Sequence, residues 1–155
     1  MIYFTSINDF SNNGKFGKNV LSSPKPVWGI NELSLGTFKR INKSDFILFY
    51  CSGKIFCCAE VIKTEVNGDL SLELFGSFQH PFKGKIMWSN ILWLKNVRRI
   101  NIDFNFFKKI CDYNDKFSIR RMIAMNENGQ QFINQHYNSE SAFILELKND
   151  TQQRI

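Results

Sequence analysis

The stretch PVWGINELSLGTFKRINKSDFILFYCSGKIFCCAEV, Pro26 to Val61, decides the fold. Its second half, DFILFYC and KIFCCAEV, the latter continuing as IKT to Thr64, is apolar on both alternating faces, the pattern of strands buried from two sides. SGK joins the two runs, and Gly53 can take the positive φ of a tight turn, so they read as a central hairpin. Ahead of them Leu35, Phe38 and Ile41 fall at helical spacing, with Asn31 placed to cap the first turn of a short helix. Trp28 lies before this helix, between Pro26 and Gly29, in what reads as an irregular loop. A large ring is poorly held for packing in such a place, so Trp28 is a candidate for contact with a ligand.

Outward from this core, MIYFTSI at the start reads as a strand. NDFSNNGKFGKNVLSSPKP, rich in Asn, Gly, Ser and Lys, reads as a long basic loop bordering Trp28. Downstream, LSLELF after the turn NGD reads as a third strand. GSFQHPFKGKIMWSN reads as a loop carrying Phe78, His80, Phe82 and Trp88, and it leads into the strand ILWLKNVRRINI, where Trp93 is assigned to the core. Asp103 can cap a helix FNFFKKICDY whose Phe104, Phe107 and Ile110 share a face, and Glu127 to Tyr137 gives another. KFSIRRMIAMN between them is read as extended, and AFILELKNDTQQRI as a last strand or helix. Strands outnumber helices and pair locally. The expected fold is α+β: a small curled, barrel-like mixed β-sheet flanked by short helices.

Composition bounds the function. With 155 residues and 18.2 kDa the chain can bury a core as one domain, residues 1–155, without disulfide or metal staples. Sixteen Phe against three Pro favour aromatic packing over linkers. A net charge of +6 favours a polyanionic partner, because Lys and Arg release condensed counterions when they meet phosphates. The four cysteines form no CxxC pair, which points to a reduced, cytoplasmic setting. No apolar run reaches the length of a membrane span, so no membrane partner is expected.

Catalytic patterns are sparse. His80 and His136 have no partner at metal-motif spacing, no phosphate-cradling glycine loop appears, and Glu60, Glu65, Asp69 and Glu73 are spread along the chain. No metal or cofactor is expected, and the chain reads as a binding module rather than an enzyme. The residual catalytic option is Cys58 or Cys51 with His80, although a cysteine on an apolar strand behaves mainly as a small hydrophobe. Aromatics offer more. Trp28 on one irregular segment and Phe78, Phe82 and Trp88 on another can form a slot in which an extruded base stacks. Lys15, Lys18, Lys25, Lys83, Lys85, Arg98, Arg99, Arg120 and Arg121 surround these segments, and cations interleaved with aromatics suit a nucleic-acid backbone beside such a slot.

From Val27 to Val97 the chain resembles the EVE and YTH domains of the PUA-like superfamily. The likeness rests on the Trp before an Asn-containing helix, the apolar strand ending in FYC, the glycine turn, the strand closing on AEV, and then FKGKI and ILWLKNV. The resemblance implies a small pseudobarrel that takes a modified base into an aromatic cage. Carried over by position, Trp28 is the first cage wall, Gly29 offers its carbonyl to the base edge, Phe82 is a cage aromatic where the YTH pattern has Trp, and Phe78 or Trp88 lies near another wall. It also implies a reader of methylated bases, DNA favoured over RNA, forming the N-terminal part of a longer McrBC-type restriction protein with motor or nuclease subunits. Two rivals remain: a site-specific binder of unmodified DNA reading base edges through Arg98, Arg99 or Arg120, and a PUA-like reader of modified RNA.

Overall fold

A computed structural model describes residues 1–147. The expected C-terminal element lies outside the described residues from Lys148 onward. Among the described residues eight strands are formed: β1 (Ile2–Ser6), β2 (Val27–Ile30), β3 (Phe46–Cys51), β4 (Lys54–Val66), β5 (Ser77–His80), β6 (Gly84–Met87), β7 (Asn90–Asp103) and β8 (Ile123–Ala124). The helices are α1 (Leu35–Phe38), α2 (Gly68–Phe75), α3 (Asn105–Cys111), α4 (Glu127–His136) and α5 (Glu140–Glu146). Six strands make one curled sheet in the order β2-β7-β4-β3-β1-β8, and β5 and β6 pair separately. β1 runs parallel to β3 and every other pair is antiparallel, so the sheet is mixed, as expected.

The central hairpin forms as its sequence requires. Ser52 (φ 51°) and Gly53 (φ 83°) both adopt left-handed backbone between paired Cys51 and Lys54, the geometry of a two-residue turn whose twist matches its strands. Period-two alternation then gives the sheet two buried faces. Tyr3, Ile47, Phe49, Cys57, Ala59, Val61, Leu92 and Leu94 share one face with Phe16, Val20, Phe38 and Ile41. Ile2, Phe4, Leu48, Ile55, Cys58, Ile100 and Ile102 share the other, which packs on α3, α4 and α5 through Phe104, Phe107, Ile133 and Phe143.

Three local readings are corrected. LSLELF is the helix α2, not a strand: Asn67 Oδ1 accepts the Leu70 N–H at 3.0 Å, Asp69 sits in the first turn, and Phe75 is buried while Leu72 and Glu73 face solvent. GSFQHPFKGKIMWSN is largely the β5–β6 hairpin, in register from Ser77↔Met87 to His80↔Gly84. The long basic loop is anchored, because Phe16 (1% exposed) and Val20 (0%) enter the core around a wide helical turn at Gly17–Leu21. Each such burial contributes about 1.5–3 kcal/mol, enough to order a segment whose composition reads as loop.

Asn31 Oδ1 accepts the Leu33 N–H at 2.9 Å, as its capping role requires. Asp103 Oδ1 accepts the Asn105 N–H at 2.9 Å at the start of α3. Among the described residues no helix is long and apolar enough to cross a membrane. Burial pushes the thiols of Cys57 and Cys58 up, and that of Cys111 up to about 12, so all three stay protonated and shielded near neutral pH. Cys51 is partly exposed. Titration of the native protein with an aromatic disulfide reagent at pH 8 should therefore modify one thiol quickly, and the other three only after denaturant is added. Two or more fast thiols in the native state would contradict the packing of β4.

Candidate nucleic-acid interface

Trp28 does not sit in a loop. It is the second residue of β2, paired with Leu92 of β7, and its ring is half-buried among three phenylalanine edges. Phe16 meets it at 5.2 Å and 80°, Phe75 at 5.3 Å and 76°, and Phe49 at 6.5 Å and 88°. Edge-to-face contacts of this kind are each worth about 0.5–1.5 kcal/mol beyond burial. Trp28 therefore belongs to the packing of the sheet as well as to any cage.

Gly29 owes its identity to the same crowding. A Cβ on it would stand 2.7 Å from both Cβ and the carbonyl oxygen of Trp88 and 2.9 Å from Phe75 Cδ2. The bare glycine backbone lets Trp88 close over β2. Trp88, half-buried between β6 and β7, meets Phe78 of β5 at 5.1 Å and 45°. Four of the expected cage residues, Trp28, Gly29, Phe78 and Trp88, are thus brought together at the C-terminal end of α2. Phe75 at that end was missed from the sequence because its segment was read as a strand.

Lys15 reaches the middle of this group. Its Nζ lies 5.5 Å from the centre of the Trp88 ring and donates to the Phe75 carbonyl, one of the acceptors that the end of α2 leaves without an intrahelical partner. Asn19 Nδ2 donates to the neighbouring Leu74 carbonyl at 3.4 Å. The anchored basic segment is thereby tied to α2, and a cation stands against the aromatic wall.

Other expected residues are placed elsewhere. Phe82 does not join the other rings: it is 95% exposed at the tip of the β5–β6 hairpin, with a ring contact to His80 at 6.2 Å. Arg98 is partly buried, and its guanidinium donates to the carbonyls of Ile144 and Leu147 at the end of α5, a capping role. Arg99 donates to Asn12 Oδ1 and lies over the Phe10 ring at 5.8 Å. Lys18, Lys25, Lys83 and Lys85 are exposed on the segments that flank the aromatic group. Arg120 and Arg121 are exposed just before β8, at the opposite end of the strand order from β2.

Trp93 is only half-buried. Its Nε1 donates to Glu65 at 2.6 Å, Lys63 Nζ lies 5.5 Å above its ring, and it lines an open groove of about 780 Å³ with Pro24, Lys25, Pro26 and Lys95. Of the two cysteines in the catalytic option, Cys58 is 1% exposed and burial raises its thiol, while Cys51 is partly exposed. Nδ1 of His80 meanwhile accepts backbone N–H groups of its own turn. Among the described residues no group of three or more His, Cys, Asp or Glu is arranged to hold a metal ion.

No family model and no curated protein matches the chain. Solved structures do. The N-terminal domain of Thermococcus gammatolerans McrB bound to m5C DNA aligns with a TM-score of 0.57 at 12% identity, over 85% of this chain and 94% of that one. ASCH from Zymomonas mobilis aligns with a TM-score of 0.52 at 15% identity, over 87% and 94%. A YTH domain from Zygosaccharomyces rouxii in complex with N6-methyladenosine RNA aligns at 0.47 and 13%, over 88% and 89%. At these identities the likeness is one of fold, and the fold is a PUA-like pseudobarrel.

The contact of Gly29 with Trp88 is open to test. Gly29→Ala has to displace Trp88 or Phe75, so it should destabilise the protein by about 1–3 kcal/mol and shift tryptophan emission to the red as Trp88 becomes more exposed. Unchanged stability and emission would show that Trp88 does not rest on β2.

Proposed function

We propose that this chain is a nucleic-acid reader that takes a modified base, most simply a methylated base in DNA, against the Trp28, Phe78 and Trp88 group. The observation that carries the reading is the convergence of these rings on Gly29 and Lys15, at one end of the pseudobarrel, between two exposed basic segments. It is supported by a fold shared with a McrB N-terminal domain whose structure contains m5C DNA.

Magnitudes favour an aromatic face. Extruding a base from a duplex costs a few kcal/mol. Stacking on an aromatic ring returns about 1–3 kcal/mol, and a methyl group buried in the same slot adds about 0.8 kcal/mol. The remainder has to come from phosphates, and Lys18, Lys25, Lys83 and Lys85 are exposed on the flanking segments to meet them. In this reading the module gives target choice to a modification-dependent restriction system, with the motor and nuclease supplied by other sequence or subunits. Direct readout of unmodified DNA is the weaker rival, because Arg98 is committed to the end of α5.

The test must separate recognition from folding, and Trp28→Ala does not, since Trp28 packs against Phe16, Phe49 and Phe75. Trp88→Ala and Phe78→Ala are the better probes. Fluorescence anisotropy with duplexes carrying 5-methylcytosine, N6-methyladenine or no mark, at two salt concentrations, should show one mark bound roughly tenfold or more tightly. That preference should vanish in Trp88→Ala while salt-sensitive binding persists. RNA strands carrying the same marks form a third arm, in which ribose preference would move the reading to modified RNA. Equal binding to every oligonucleotide, indifferent to Trp88 and Phe78, would overturn the modified-base reading.

A further inference from the structure

Phe82 is set apart from the aromatic group. At 95% exposed it is the most exposed large apolar side chain of the described residues, ahead of Val66 and Leu145 at 71%. Yet its backbone is braced. Nδ1 of His80 accepts the N–H of Phe82 and of Lys83, each at 3.1 Å, Pro81 fixes the preceding φ, and Gly84 at φ 75° turns the chain back into β6. Below the tip Ile86 is fully buried, which fastens the hairpin to the body of the protein.

The charges on its own hairpin are of one sign. Lys83 and Lys85 are exposed beside it, and Gly76 to Asn90 contains no acidic residue. The same hairpin carries Phe78 and leads directly to Trp88, so the tip and the aromatic group are joined through one paired element.

We infer that Phe82 is a wedge that enters the stack of a nucleic acid, between two neighbouring bases, while Lys83 and Lys85 meet the phosphates on either side. This rests on the reading of the chain as a nucleic-acid binder but concerns a different step, the opening of the stack rather than the recognition of the extruded base. Apolar side chains inserted between base steps unstack them and kink the duplex. An aromatic ring already held out by a braced turn gives up little conformational freedom on insertion. The vacated step is the place from which a base can leave for Trp88. A lone ring with two lysines offers too little apolar surface to anchor a bilayer, which favours the nucleic acid over a lipid surface.

Because Phe82 makes no core contact, its variants should fold as the parent does. The experiment uses a duplex with 2-aminopurine next to a 5-methylcytosine, and the same duplex unmethylated, with the wild type, Phe82→Ala and Phe82→Trp. Anisotropy reads binding, and 2-aminopurine emission reads unstacking. The wild type at saturation should raise the emission several-fold. Phe82→Ala should still bind, roughly tenfold more weakly, with emission near that of the free duplex, and Phe82→Trp should restore the rise.

An equal rise with Phe82→Ala, or no rise with bound wild type, overturns the wedge. If the wild type prefers the methylated duplex and Phe82→Ala behaves identically, the wedge fails and the base-reading function stands. If a Phe82-dependent rise occurs equally on both duplexes, the wedge stands and the modified-base reading fails. Absence of duplex binding, with Phe82-dependent binding to phosphatidylserine vesicles, overturns the wedge in favour of a lipid surface.

Discussion

The curvature of the sheet depends on the pairing of β4 with β7, and nearly everything else in the molecule depends on that curvature. These are the two longest strands, of 13 and 14 residues, and their register shifts three times, at Ile55/Cys57, Cys58/Glu60 and Val61/Lys63. Each shift leaves an extra residue on one strand, bends it and strengthens the local right-handed twist. The first four residues of β7, Asn90–Trp93, are then shared between β4 on one side and β2 on the other. β2 is carried to where Phe16, Phe49 and Phe75 can surround Trp28. A flat sheet would leave Trp28 on an open edge.

That arrangement divides the aromatic residues into two sorts. Phe16, Phe49 and Phe75 are buried and hold the sheet closed, and Trp28 shares their work while keeping part of its surface accessible. Trp88 and Phe78 are attached to this core through the Gly29 backbone and the β5–β6 hairpin, so they can contact a ligand without being needed to close the sheet. Phe82 takes no part in the core. Going from Phe16 to Phe82, the cost to folding of losing a ring falls from several kcal/mol to very little. The surface open to a ligand grows along the same series.

How much of this was legible in the sequence depends on whether the signal was local. Gly53 in SGK, Asn31 before its turn and Asp103 before FNFF act through their own backbone neighbours, and each does in the structure what its residue type requires. LSLELF was ambiguous, because Leu70, Leu72 and Leu74 alternate like a strand while Leu70, Leu74 and Phe75 also fit one side of a helix. The Asn67 cap and the left-handed Gly76 settle it, and both lie just outside the apolar run. Pro26 made the approach to Trp28 look irregular, yet its carbonyl accepts the Leu94 N–H, and β2 begins one residue later. Pro81 likewise hid the β5–β6 hairpin by sitting in its turn. The roles of Lys15 and Arg98 were not legible at all, since both are set by carbonyls at the ends of helices 60 and about 46 to 49 residues away.

If the aromatic group takes a base as proposed, Lys15 bears on which ligands it would favour. A base stacking on Trp88 has to take the place of the Lys15 ammonium, whose contact with that ring is worth about 0.5–1 kcal/mol where exposed. The stack gained is worth about 1–3 kcal/mol, so on the ring alone the exchange is favourable. Moving Lys15 also breaks its hydrogen bond to the Phe75 carbonyl, and hydrogen bonds to charged groups contribute about 1.5–3 kcal/mol. For a free nucleoside the losses then exceed the gain by about 1 kcal/mol at mid-range values. A strand differs because it brings phosphates, which can accept from the displaced ammonium and leave only the Phe75 carbonyl to be met by water. On the proposed reading, the contacts of Lys15 with Phe75 and Trp88 would therefore favour bases still attached to their backbone over isolated bases, before any feature of the base itself is read.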